Sequence, residues 1–206
     1  MMRKTLRGDF FNKEPTIVAK ELLGKFLVRK FEGMEKSLLI TEVEAYGGSE
    51  DLASHARHGR TKRNEAMFGP PGIIYVYFTY GMHWMLNIVC CQEGHPSAVL
   101  IRSAVPFIGP ARLTKALEIN KTLNMKQLRK KNGLWIEDRG IVIAPRQIKK
   151  TPRVGVAYAW RWAEKRWRFV IDANHHDPGT VRDDRIHGGG RILRDHQTGS
   201  RKSAHQ

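Results

Sequence analysis

The run Ile40-Thr41-Glu42-Val43-Glu44-Ala45-Tyr46 alternates with period two, which commits it to a β-strand with two unlike faces. Glu42, Glu44 and Tyr46 fall on one face, and Thr41, Val43 and Ala45 on the other. Two acids and a phenol on one surface form either a solvated strand face or the wall of a site. A second stretch, Gly72-Ile73-Ile74-Tyr75-Val76-Tyr77-Phe78-Thr79-Tyr80-Gly81-Met82, gathers four aromatics, with Trp84 close behind, around a turn at Gly81. Carboxylates beside flat rings, on a chain of formal net charge +16, point to chemistry on a nucleobase.

Charge narrows the partner. Thirty-six Lys and Arg against 20 Asp and Glu favour a polyanion, because each phosphate neutralised also releases counterions. The basic residues are spread along the chain rather than along one amphipathic helix, and no apolar run reaches the roughly 20 residues that span a bilayer, so nucleic acid fits better than a membrane. The basic start at Arg3 and Lys4 has no apolar segment after it, so no secretory leader is expected and the chain is expected in the cytoplasm, near the nucleoid. The only cysteines, Cys90 and Cys91, are adjacent; they suit buried, reduced thiols and neither a disulfide loop nor zinc.

The 206 residues fit one domain with a sizeable core. Apolar spacing with Pro15 in a first turn and Gly24 as a stop predicts a helix over 15–23. Strands are expected over 25–31, 37–46, 73–79, 85–91, 97–103 and 167–171. Further helices are expected from Ser49-Glu50-Asp51 to about His58, from near Pro110 and from near Asn124. Hairpin connections between mixed elements indicate an α+β fold: one domain over 1–171 with an antiparallel-rich curved sheet, flanking helices and a protruding hairpin. Residues 172–206, rich in Arg, Asp, His and Gly, bury little and are expected to form a basic tail. The triple glycine Gly188-Gly189-Gly190 lacks the strand and helix of a phosphate loop.

Each candidate has an ordinary reading beside it. Alternating glutamates are more often a solvated face than a catalytic pair; sharing a face, they would favour protonation of one unless Glu42 pairs with a basic residue. Tyr75 and Phe78 read as core, whereas Tyr77 and Tyr80 fall on opposite faces by parity, one ring for a pocket and one for an exposed tip. His55 and His58, three apart, could bind a metal with Glu50 or Asp51, but a surface pair is the simpler reading. The basic loop Arg60 to Arg63 suits phosphate contact.

Glu42-Val43-Glu44-Ala45-Tyr46, Ser54-His55-Ala56-Arg57, Gly59-Arg60, Arg63-Asn64, Met67-Phe68, Pro71-Gly72, Tyr75-Val76-Tyr77, Tyr80-Gly81-Met82, Asn87, Leu100-Ile101-Arg102 and Arg153-Val154-Gly155-Val156 closely resemble, in order and spacing, the alkyladenine (3-methyladenine) DNA glycosylase family. The resemblance runs from about Leu22 to Phe169. It implies a monomeric enzyme that needs no cofactor, metal or obligate protein partner, flips damaged purines out of duplex DNA and hydrolyses the N-glycosidic bond. By position it implies Glu44 as the base that activates water, with Arg102 and the Val154 main chain helping to hold that water. It further implies Tyr46, His55 and Tyr77 as pocket walls, Asn87 as a gatekeeper against the guanine amino group and Tyr80 as the intercalating wedge. Arg60, Arg63, Met67 and Met82 would lie along the DNA. Two departures stand out: after Pro106 a segment of about 20 residues, longer than most loops, is absent, and the chain beyond Ile171 lacks the family's short ending strand.

The residue types make sense without the family. An alkylated purine is cationic and leaves easily, so electron-rich rings to stack it and one carboxylate to activate water suffice. Extrusion costs a few kcal/mol, and stacking returns roughly 1–3 kcal/mol per base. Two rival classes predict other products: an idle DNA-binding module would release no base, and a metal-dependent nuclease built on His55, His58 and Glu44 would cut the backbone and fail in chelator.

Overall fold

The computed structural model describes residues 3–172. In chain order the strands are β1 (Lys4–Thr5), β2 (Phe26–Phe31), β3 (Met34–Gly47), β4 (Ile74–Thr79), β5 (His83–Val89), β6 (Ser97–Val105), β7 (Leu134–Asp138), β8 (Ile148–Thr151) and β9 (Arg168–Ile171). The helices are α1 (Gly8–Phe11), α2 (Pro15–Leu22) and α3 (Pro110–Ala116). All pairing is antiparallel, in one unclosed sheet of order β1-β7-β2-β3-β6-β5-β4, with β9 added to β3 and β8 to β9. The expected α+β class is the one found. The expected basic tail beyond Asp172 lies outside the described residues.

β3 is long enough to serve two neighbours in succession along one edge. It pairs β2 over 34–39 and β9 over 42–44, while β6 runs along the other edge from Leu39 to Gly47. The β3–β6 ladder shifts register twice in succession: Ile40 faces Ala104, Glu42 faces Ser103 and Val43 faces Ile101, so Thr41 on one strand and Arg102 on the other are both left out of the pairing. These paired bulges shift the phase of each strand. Leu38 and Ile40 enter the main core before the bulge, and Val43 and Ala45 after it. Strict alternation across Thr41 is therefore corrected; Thr41 does not share the core side with Val43 but turns its hydroxyl to the Ser103 carbonyl at 3.4 Å. On β6 the same defect re-aims side chains, so Arg102 and Ser103, consecutive in sequence, both reach Glu42.

Helix α2 presents Val18, Ala19 and Leu22 to the main core, and α3 contributes Leu113. Pro15 opens α2, and Gly24, at φ 80°, follows its end, as the sequence predicts. Two expected helices are corrected. Residues 49–58 form only a 3-10 turn, His55–His58, capped by the Ser54 hydroxyl; the Asp51 carboxylate accepts the Ala53 N–H at 3.0 Å but is shared with the Gly47 N–H and the Arg153 guanidinium. Near Asn124 the chain makes the 3-10 turn Lys121–Leu123 and then runs along β4: the Asn124 carboxamide accepts the Val76 N–H at 2.9 Å, and Lys126 accepts that of Ile74 at 2.8 Å. The outer strand is thereby covered. Cys90 and Cys91 are buried free thiols. No helix of the described residues is long and apolar enough to cross a membrane.

Candidate active site

The sheet face away from α2 and α3 carries a cavity of about 230 Å³. That is smaller than the roughly 300–1,000 Å³ of sites for drug-sized ligands and suits one flat heterocycle. Strand β3 contributes Glu44 and Tyr46 and β6 contributes Arg102. The β4–β5 hairpin brings Tyr75, Tyr77, Thr79, Tyr80, Met85 and Asn87, the 3-10 turn brings His55, and the segment 154–158 brings Val154, Gly155, Val156 and Tyr158. Every catalytic, pocket and wedge residue anticipated from the sequence lines this one cavity.

Glu44 is fully buried, and its carboxylate is held by three donors. The Tyr46 hydroxyl donates to Oε2 at 2.8 Å, the Val154 N–H donates to Oε1 at 2.8 Å, and Arg102 Nη1 lies 3.3 Å from Oε1. Arg102 and Val154 thus touch Glu44 itself. Arg102 also donates through Nε to Glu42 at 3.0 Å, so one guanidinium holds both acids. Burial alone would push the Glu42 carboxyl up, but the hydrogen bonds from Ser103 and Arg168 and the charges of Arg102 and Arg168 together hold it below the usual range. Glu42 therefore stays ionised, paired with arginine.

Aromatic rings make the walls. His55 stands edge-on to Tyr77 at 4.5 Å between centroids, its Nδ1 lies 2.9 Å from the Tyr75 hydroxyl, and Tyr75 and Tyr77 are 5.3 Å apart. Tyr75 is core as expected, 1% exposed and packed with Met67, Ile73 and Val89, and it also lines the cavity; the reading of Phe78 as core is corrected, because it is half-exposed against Trp84. Burial holds the Tyr46, Tyr75 and Tyr77 hydroxyls protonated by raising all three well above the ordinary range. His55 moves the other way: burial and the Arg63 and Arg57 charges lower it to about 4, so the ring is neutral at pH 7.

His55 gives a stability prediction. An unfolded histidine takes up its proton as the pH falls through 6.5, whereas the folded one waits until about 4, so the unfolded chain binds more protons in between. Stability should therefore fall as pH drops from 6.5 towards 4. The carboxyls held low, those of Glu42, Glu137 and Asp138, add their own losses only below about 4.5. Thermal unfolding of wild type and His55→Phe at pH 7, 6 and 5 checks this; an unchanged slope in the variant would assign the loss to other groups.

Tyr80 sits in the turn between β4 and β5, 80% exposed, with φ 52° beside Gly81 at φ 66°. The Met82 N–H donates to the Thr79 carbonyl, which closes a turn whose two central residues both need positive φ. Parity fails here: Tyr80 is a turn residue, and it joins Tyr77 at the same cavity. A tyrosine in that region is strained by about 1–2 kcal/mol. Arg60, Arg63 and Met82 are exposed. Met67 is not: at 2% exposure it packs with Ala56, Ile73 and Val89 and lines the cavity, so its placement along an outer DNA surface is corrected.

Sequence reasoning missed the support beneath the site. Arg153 and Asp51, both fully buried, form a bidentate ion pair, with Nη1 at 2.5 Å and Nη2 at 2.9 Å from the carboxylate oxygens. The same guanidinium donates to the Ala45 and Trp162 carbonyls and lies 4.7 Å from the Tyr46 ring centroid. It ties the segment that carries the Val154 N–H to β3. Tyr158, a half-exposed wall residue under the Arg57 guanidinium, was also missed. No cluster of His, Cys, Asp and Glu among the described residues could hold a metal ion; Asp51 is committed to Arg153 and His55 to Tyr75.

The family model for methylpurine-DNA glycosylases matches residues 9–108 and 107–175, and its two stretches meet where the sequence lacks a segment after Pro106. A protein from Legionella pneumophila (strain Paris) called "Putative 3-methyladenine DNA glycosylase" is 44% identical over 181 residues, covering 84% of this chain and 97% of its own. Relatives with the same name from Anaeromyxobacter sp. (strain Fw109-5) and Clostridium botulinum (strain Loch Maree / Type A3) are 41% and 37% identical, over 82% of this chain and 90% and 96% of theirs.

Proposed function

Since the chain belongs to the methylpurine-DNA glycosylase family, we propose that it extrudes alkylated or deaminated purines of the 3-methyladenine and hypoxanthine class from duplex DNA and hydrolyses the N-glycosidic bond, leaving the backbone intact. The observation that carries this reading is a fully buried carboxylate at the wall of a one-base cavity lined by Tyr46, Tyr77 and the neutral His55. A cationic purine stacks on such rings without meeting a second positive charge on His55. Glu44 takes the proton of the water that attacks C1′ as the bond to the base breaks, and the base departs with the bonding electrons. Tyr46, Arg102 and Val154 keep the carboxylate in one orientation, so the general base is positioned before substrate arrives. Asn87, held by its amide to the Tyr75 carbonyl, lies at the cavity wall where it would meet a purine 2-amino group. Tyr80 fills the gap left in the stack, and Arg60, Arg63 and Met82 approach the backbone. The chain acts as a monomer in the cytoplasm.

The test is release of free 3-methyladenine and hypoxanthine from duplex DNA in excess chelator. Release with intact strands supports the reading. Binding without release would favour a damaged-DNA-binding module, and chelator-sensitive strand cleavage would favour a nuclease. Tyr80→Ala should weaken affinity for a lesion duplex roughly 5- to 150-fold, the equivalent of one stacking contact. Unchanged affinity would remove Tyr80 from the wedge role.

A further inference from the structure

Two loops bound the cavity, the hairpin turn that carries Tyr80 and the segment from Val154 to Tyr158 that runs on into Trp160. Among the exposed large hydrophobic side chains, Tyr80 and Trp160 are the most exposed, at 80% and 82%. Both have positive φ, 52° and 50°, where glycine is favoured and a side chain is strained. Trp160 is held there from both sides: Ala159 is buried and its N–H donates to the Val156 carbonyl, while the Trp160 carbonyl accepts the Ala163 N–H at 2.8 Å. The next tryptophan, Trp162, is by contrast packed, edge-on to Trp167 and 3.4 Å below the Lys165 ammonium. Trp160 therefore adds little to the core. Arg161, next in the chain, and Arg166, six residues on, are also exposed and suit a polyanion.

We propose that Trp160 is a second stacking ring for the nucleic acid, engaging a base face opened beside the extruded nucleotide from the loop wall, as Tyr80 does from the hairpin wall. The inference rests on the glycosylase reading for the identity of the partner. An intact duplex hides its base faces, so the ring gains a partner only where one nucleotide has left the stack. It is a positioning residue, not a catalytic one.

The full chain should be compared with Trp160→Gly and Trp160→Phe on two oligonucleotide duplexes, one with a stable tetrahydrofuran abasic analogue and one intact, by fluorescence anisotropy. Trp160→Gly should bind the abasic duplex roughly 5- to 150-fold more weakly and the intact duplex as well as wild type does; Trp160→Phe should keep most of the affinity. Because glycine relieves the strained φ, the thermal midpoint of Trp160→Gly should not fall, which separates lost stacking from lost folding. Equal losses on both duplexes, or no loss on the abasic one, would overturn the proposal. If wild type releases no base but Trp160→Gly still loses abasic affinity, the glycosylase reading fails and this one stands. Base release by wild type with unchanged binding in the variant overturns only the role of Trp160.

Discussion

Replacing Glu44 by Gln should cut base release roughly 100- to 10,000-fold, the usual weight of a general base, while leaving affinity for lesion duplex nearly unchanged. The substitution keeps shape and volume at a fully buried position. The amide oxygen can still accept from the Val154 N–H, and the amide NH2 can donate to the Tyr46 hydroxyl, reversing one hydrogen bond without orphaning a partner. Arg102 retains Glu42 as counter-charge at 3.0 Å. What disappears is the one property glutamine lacks, the capacity to take a proton from water. Single-turnover release beside equilibrium binding checks the split, and a parallel loss of both would make Glu44 a structural acid.

A second large effect is expected for stability. Asp51→Ala removes one half of an ion pair in which both side chains are fully buried, leaving the Arg153 guanidinium charged, desolvated and without a counterion. Losing one partner of such a pair costs about 3–5 kcal/mol. For a domain of this size each kcal/mol lowers the melting midpoint by about 2–4 °C, so a fall of very roughly 6–20 °C is expected in calorimetry. The double variant Asp51→Ala, Arg153→Met should recover part of the loss, because the stranded charge goes with its partner. A single-variant loss under about 1 kcal/mol would mean that solvent reaches the pair. Val154 follows Arg153 directly, so a loosened loop should also slow base release beyond what the lowered stability explains.

The elements whose local chemistry is self-sufficient were legible in the sequence. Pro15 and Gly24 bracket α2, alternation marks the 40–46 stretch of β3, and apolar and aromatic runs mark β4 and β6. The short strands β1, β7 and β8 carry no period long enough to see, and they exist because neighbours offer an edge. The expected helix over 49–58 failed for a related reason: Asp51 does accept the Ala53 N–H, but Arg153, about a hundred positions later, also takes its carboxylate and no helix follows. The candidate catalytic and pocket residues that share the cavity were singled out through motif resemblance, and alternation already grouped Glu42, Glu44 and Tyr46. The sharing of Arg102 between two acids, the strained φ of Tyr80 and the exposure of Trp160 depend on bulges and turns that a pattern of residue types does not contain.

The facing bulges at Thr41 and Arg102 cancel one another. Before them Ile40 sits opposite Ala104 and after them Val43 sits opposite Ile101, which is the pairing an unbroken ladder would have reached had both strands been one residue shorter. The pairing register beyond them carries no memory of the defect. The arginine that grips Glu42 and Glu44 is thus a matched insertion, one residue in each strand, that the scaffold can hold or lose without any other pair of residues changing partner.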